Sequence, residues 1–266
     1  MNTILRAGCS LLALLAVSPI CAMGLQLLGQ SQTGAMGMPL TSQERVWLTD
    51  LSIRRDFTDR GRAYTHLFDL EKKQAVIIDH FSRTAQVHDL AGLGASTEAS
   101  APGDGLKMKL ELTGNARPLQ SWNCKEHELA ASIPARLGNE ETIFHLKGKI
   151  WLASGVPEQV AIKNLVGAAK KPGFYLGIPA LAKISPAYAQ VMNELLRKMA
   201  PKGLPCAGEL EGNYEGNGPM ANLARKMPNK GSFAFQQYSA ENIKPDTFAV
   251  PPGYRLMQSA QPFYQK

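Results

Sequence analysis

The residues able to do chemistry are few and scattered. Four cysteines are present: Cys9, Cys21, Cys124 and Cys206. The first two fall in a segment that reads as an export signal. That leaves Cys124 and Cys206 as an even pair bound for an oxidising compartment, which predicts a disulfide. Two separate buried thiols are the alternative reading. A bridge would close a loop of about 80 residues, for which chain entropy gives roughly 4 to 4.5 kcal/mol. No CxxC spacing points to redox exchange.

The five histidines, His66, His80, His88, His127 and His145, all sit on predicted strands. Zinc needs three or four ligands converging at about 2 Å, and neither an HExxH nor a tight His-x-His pair is present. His66 and His88 approach each other only if their strands bracket the one between. No G-x-S-x-G elbow positions a serine nucleophile, and a cysteine nucleophile competes with the disulfide. Glu126 and Glu128 share one strand face, but that pattern is too common to argue glycoside hydrolysis. The glycine-rich stretch 208–218 lacks the Lys-Ser/Thr ending of a phosphate loop. The expectation is therefore a protein that is not an enzyme, with no metal and no cofactor. Arg54 and Arg55 stand apart. An arginine at a strand end can hold a carboxylate or phosphate; the plainer expectation is that one pairs with an acidic neighbour and the other is solvated.

These residues lie in a chain of 266 residues with a formal charge of +7. Residues 1–6 are short and positive, residues 7–17 are apolar but too short to cross a membrane, and Pro19 breaks any helix. This reads as a signal peptide, residues 1–22, cleaved after Ala22. Lipidation at Cys21 is the alternative. Only Arg6 is lost with the signal, so +7 becomes +6 for the remaining 23–266, expected to be one periplasmic domain and a monomer. Lys and Arg form no run of five or more, which leaves no nucleic-acid footprint.

Hydrophobic spacing places the elements. Residues 24–28 start a first strand, and 34–39 read as a loop. Residues 45–57 read as one strand with a bulge at Asp50. Residues 63–70, 75–80 and 83–90 form two consecutive hairpins with short connections, which forces antiparallel neighbours. The middle strand, AVIIDH, is apolar on both faces and suits a strand covered on both sides. A curved sheet with a helix in its concavity would supply that cover. Leu106, Met108, Leu110 and Leu112 alternate with polar residues, so one face is buried. Strands follow over 119–130, 141–152 and 231–239. In the strand 141–152, Phe144, Leu146, Ile150 and Leu152 face one way and Trp151 the other. The clearest helix is 186–200, with Ser185 as N-cap, Pro186 at the first position, and Tyr188, Val191, Met192, Leu195 and Met199 at helical spacing. Its Met-bearing stripe either packs on a sheet or lines an adaptable ligand site. A shorter helix over 178–183 precedes it. Prolines make the tail 245–254 extended.

Taken in order, VWLTDLSIRRD, YTHLFDLEKKQAVIIDHFSRTAQVHDL, LTGNARPLQSWNCKEHEL, ETIFHLKGKIWLASGVP and DTFAVPPGYRLM resemble segments of the LolA-like superfamily of exported lipoprotein-carrier-like proteins, in its uncharacterised periplasmic branch. The resemblance implies a mainly β (α+β) fold: a curved antiparallel sheet forming an open half-barrel, with one or two helices packed on its concave face. It further implies a carrier or binding protein with an apolar site for lipid or a lipoprotein acyl chain. Arg54 matches the arginine ending the second strand, and Phe68, Ile77, Ile78, Leu110 and Leu112 become candidates for the lining, joined by Tyr188, Met192 and Leu195 of the helix. The carriers' D-G-x-x-x-W segment is not present. The alternative is an envelope protein that fills its concavity with its own side chains and engages a protein partner.

Overall fold

Twelve strands form one sheet, in the order β12-β6-β5-β4-β3-β2-β1-β11-β10-β9-β8-β7. The structure, a computed structural model, describes residues 22–35, 38–59, 61–90, 105–169, 186–226 and 229–258. The predicted signal up to residue 21, Ser185 and the short helix over 178–183 lie outside the described residues.

The first wing is a meander of β1 (Ala22–Ala35), β2 (Met38–Leu48), β3 (Ser52–Asp59), β4 (Arg62–Asp69), β5 (Gln74–Asp79) and β6 (Thr84–Asp89). The second runs through β7 (Lys107–Leu119), β8 (Trp122–Leu137), β9 (Glu140–Ala153), β10 (Leu204–Glu215) and β11 (Asn229–Ile243), and β11 pairs antiparallel with β1 to join the wings. β12 (Arg255–Gln258) returns to the far edge and pairs with β6 in parallel, while the other neighbours are antiparallel.

The sheet is curved and unclosed. Trp122 at the start of β8 stacks on Tyr238 of β11, ring centroids 3.9 Å apart, and the Tyr238 N–H donates to Gln120 Oε1 at 2.8 Å. Three strand spacings of about 4.8 Å separate those strands within the sheet, so the sheet curls toward this face. On that inner face Leu25, Leu27, Trp122, Trp151 and Leu204 form the central core. The 3-10 turn Pro157–Ile162 and helix α1 (Lys163–Ala169) cover it with Ile162 and Leu165. Cys124 and Cys206 are bridged within this core, Cα–Cα 6.4 Å, across 82 positions. The disulfide links β8 to β10 over the intervening β9.

Helix α2 (Pro186–Met199) matches its expected span. Its stripe Val191, Leu195 and Met199 packs on Leu129, Phe144, Leu146 and Ile150. Those sheet residues alternate with Trp151 and Ala153 of the inner core, so α2 sits on the opposite face of β8 and β9. α2 therefore covers the second wing rather than the doubly apolar β5. Helix α3 (Pro219–Arg225) has its first turn held by Glu140, whose carboxylate accepts from the Met220 and Ala221 N–H groups at 3.0 and 3.2 Å.

Three local expectations change. Residues 45–57 are two strands, because Thr49 turns the chain: its N–H donates to Ser52 O at 2.9 Å, and its hydroxyl accepts from the Ser52 N–H at 3.1 Å. Asp50 is thereby freed to accept from the Asn164 N–H at 2.9 Å. Within the stretch 34–39, Gly34 and Ala35 continue β1 and pair with Pro39 and Met38 of β2. The tail is not wholly extended: Pro245–Phe248 is a 3-10 turn, which its proline opens without losing a needed N–H.

Candidate functional site

β3 carries the pair Arg54-Arg55, and strand alternation sends the two guanidinium groups to opposite faces. Both are paired, where one solvated arginine was expected. Arg55 turns to the inner face and forks onto Glu44, Nη2 to Oε1 at 2.5 Å, with Phe57 under it at 4.6 Å. Arg54 turns outward and forks onto Asp56, with Nε and Nη2 each 2.9 Å from a carboxylate oxygen. Its Nη1 donates to Thr247 O at 2.8 Å.

From Asp56 a line of hydrogen bonds crosses three strands. Thr65 Oγ1 donates to Asp56 Oδ1 at 2.6 Å, since a carboxylate only accepts. With its proton so used, Thr65 accepts from His80 Nε2, 2.9 Å away. His80 Nδ1 then accepts from the Tyr254 hydroxyl at 2.8 Å. Register explains the alignment: Asp56 pairs with Thr65 across β3 and β4, and His80 immediately follows β5. The relay Arg54–Asp56–Thr65–His80–Tyr254 fastens the C-terminal segment to the outer face at two points, Thr247 and Tyr254.

Beside the relay lies an open groove of about 600 Å³, lined by Leu28, Arg45, Arg54, Asp56, Thr65 and His80 among others. A bulge in β11 between the pairs Leu28/Gln237 and Gly29/Phe235 inserts Gln236, and both Gln236 and Gln237 reach the groove. Arg45 is exposed and lies over Trp47 at 5.5 Å, and Arg54 lies over the same ring at 5.2 Å. Among the described residues Arg45 makes no ion pair. With Arg54 spent on Asp56, the groove keeps one uncommitted positive charge.

The candidate residues read from sequence do not converge. Phe68 and Ile77 lie on the inner face of β4 and β5, with Arg55 and His66. Ile78 lies on the outer face with Leu67 and Ala85, under Val250 and Tyr254. Leu110 and Leu195 are buried between β7–β9 and α2, with Met192 packed at the edge. Leu112 is 58% exposed, because the register of β7 against β8 breaks between Leu112 and Ala116. The side chain of Tyr188 lies outside the described residues.

His66 and His88 do share the inner face, on strands flanking β5. His66 is pushed down to about 3 by burial, then by the positive charge of Arg55 and by His88. It is neutral at any ordinary pH. Among the described residues, no group of three or more His, Cys, Asp or Glu is placed to hold a metal ion. The residues that sequence reading passed over are Asp56, Thr65 and Tyr254. Asp56 stands two positions after Arg54, hence on the same strand face, and that spacing was the available signal.

No family model matches the chain, and no curated protein does. Among solved structures, PNGF-II is similar over 90% of this chain at 7% identity and a TM-score of 0.37, and the chain spans 31% of that structure's length. A LolA superfamily protein from Nitrosomonas europaea is similar over 85% of this chain and 90% of its own, at 6% identity and a TM-score of 0.30. At these scores neither likeness assigns a family or a ligand.

Proposed function

We propose that the protein is a non-enzymatic, exported binding or carrier protein that takes an anionic amphiphile, a lipid or acyl group with a charged head, in the groove on the outer face of β2–β4. The observation that carries this reading is Arg45, without an ion pair among the described residues, beside a groove of about 600 Å³. That volume falls within the range of small-ligand sites. The surroundings suit a molecule with two characters. Arg45 on the Trp47 ring offers a charge-assisted contact to a headgroup, while Leu28 and Ala63 add apolar surface to the lining. The disulfide in the core fits an oxidising compartment.

Native mass spectrometry of the mature protein tests this reading. The expected result is a co-purified lipid, together with a thermal shift on adding an anionic phospholipid or fatty acid. Lipid-free protein with no thermal shift would overturn it.

A second reading has its own support. The inner face is filled by the protein's own Leu25, Leu27, Trp122 and Trp151. An envelope scaffold with a self-filled concavity would look like this. It expects no amphiphile binding and a protein partner instead.

A further inference from the structure

The C-terminal segment 245–258 is a strap over the outer face of the first wing. It starts at β3, where Thr247 accepts from Arg54, passes over β4 and β5, and ends as β12 on β6. Beneath it lies an apolar trough of Leu67, Ile78 and Ala85 with Val76 beside them, and among the described residues the strap covers it with Val250 and Tyr254. The trough is closed off from water: Leu67, Ile78 and Ala85 are all buried.

The strap itself is lightly held. Its 3-10 turn buries no residue. Its strand has four residues and the sheet's parallel pairing, which is slightly weaker per residue than antiparallel. Among the described residues, its other attachments are the packing of Val250 and Tyr254, the Arg54–Thr247 hydrogen bond and the relay through His80 to Tyr254. Segments with few buried apolar contacts open locally well below the cost of global unfolding. The same residues also border the groove: Arg54, Thr65 and His80 line it and connect to the strap. The trough adjoins the groove on the same sheet face: Arg54 is the register partner of Leu67, and Thr65 that of Ile78.

We propose that the strap is a displaceable cover, and that the acyl chain of a bound amphiphile takes the trough over Leu67, Val76, Ile78 and Ala85 when Val250 and Tyr254 leave it. The headgroup stays at Arg45. This inference rests on the groove being an amphiphile site and adds where the chain goes and what must move.

A tethered strap tests it. Thr84 and Arg255 are register partners of β6 and β12. A Thr84→Cys/Arg255→Cys variant, oxidised, pins the strap; Thr84→Ser/Arg255→Ser is the untethered control. Lysophosphatidylglycerol is the probe, with glycerol phosphate as a headgroup-only probe. The untethered control should bind the lysolipid like the wild type, and the tethered form at least tenfold more weakly. Glycerol phosphate should bind both alike. On adding the lysolipid to wild type, amide exchange over 245–258 should accelerate. Equal lysolipid affinity in the tethered form, equal loss of glycerol phosphate binding, or slower exchange in the strap would overturn the displaceable cover while leaving the groove reading intact. Absence of lysolipid binding by the wild type would overturn both.

Discussion

The imidazole of His80 accepts a hydrogen bond from the hydroxyl of Tyr254 at 2.8 Å, across 174 positions of sequence. That contact joins the segment just before β12 to a hairpin near the start of the chain. It closes a line of polar groups that begins at Arg54. Strap, relay and groove are thus one structural unit, and a change at one end is expected to be felt at the other.

The Tyr254→Phe substitution removes the hydroxyl and leaves His80 Nδ1 without its donor. The expected loss is about 1 kcal/mol, concentrated in the strap. Amide exchange over 245–258 should quicken several-fold, with little change in β8 and β9. Uniform acceleration across the sheet would show that the strap is not a separate unit.

The Cys124–Cys206 bridge closes a long loop in the core. A Cys124→Ala/Cys206→Ala variant should lose about 2 to 5 kcal/mol of stability, the usual range for a native bridge, read by denaturant midpoint. Intact mass after alkylation without reduction should show neither cysteine modified in the wild type.

Burial makes His66 a source of acid sensitivity. The fold keeps it neutral down to about 3, whereas its ordinary value is 6.5. Above pH 6.5 both folded and unfolded chains leave it neutral, and it has no effect. As pH falls from 6.5 toward 3, the unfolded chain binds a proton that the fold excludes, so stability drops, by up to several kcal/mol. A His66→Gln variant should show a shallower fall in denaturant midpoint over that window. His88, lowered by burial in the same direction, keeps some slope in the variant. An unchanged slope would contradict the assignment.

Much of the sheet was legible because period-two patterns are local. The doubly apolar β5 did need cover on both faces, with Val76 and Ile78 on one side and Ala75 and Ile77 on the other. What could not be read was which cover each face meets. Ile78 lies under the C-terminal strap, and that contact is made across about 170 residues. The alternation Leu106 to Leu112 predicted one buried face, yet Leu112 is exposed, because the break near Gly114, at φ 90°, is a feature of pairing and not of pattern. Arg54 stood out as a cation, but its charge is neutralised by Asp56. Arg45 carried no signal, because its lack of an ion pair among the described residues is a property of three-dimensional neighbours. The relay was hidden for the same reason: Thr65, His80 and Tyr254 are ordinary residues until register and the returning strap align them.

The groove beside Arg45 is the proposed site for an anionic amphiphile. Isothermal titration of the mature protein with lysophosphatidylglycerol, wild type against Arg45→Ala, tests it most directly. The wild type should bind saturably, one to one. Affinity should weaken at least tenfold in the variant, as expected for losing a charge-assisted contact of about 1.5 to 3 kcal/mol. No saturable binding by the wild type, or equal affinity in the two proteins, would contradict it.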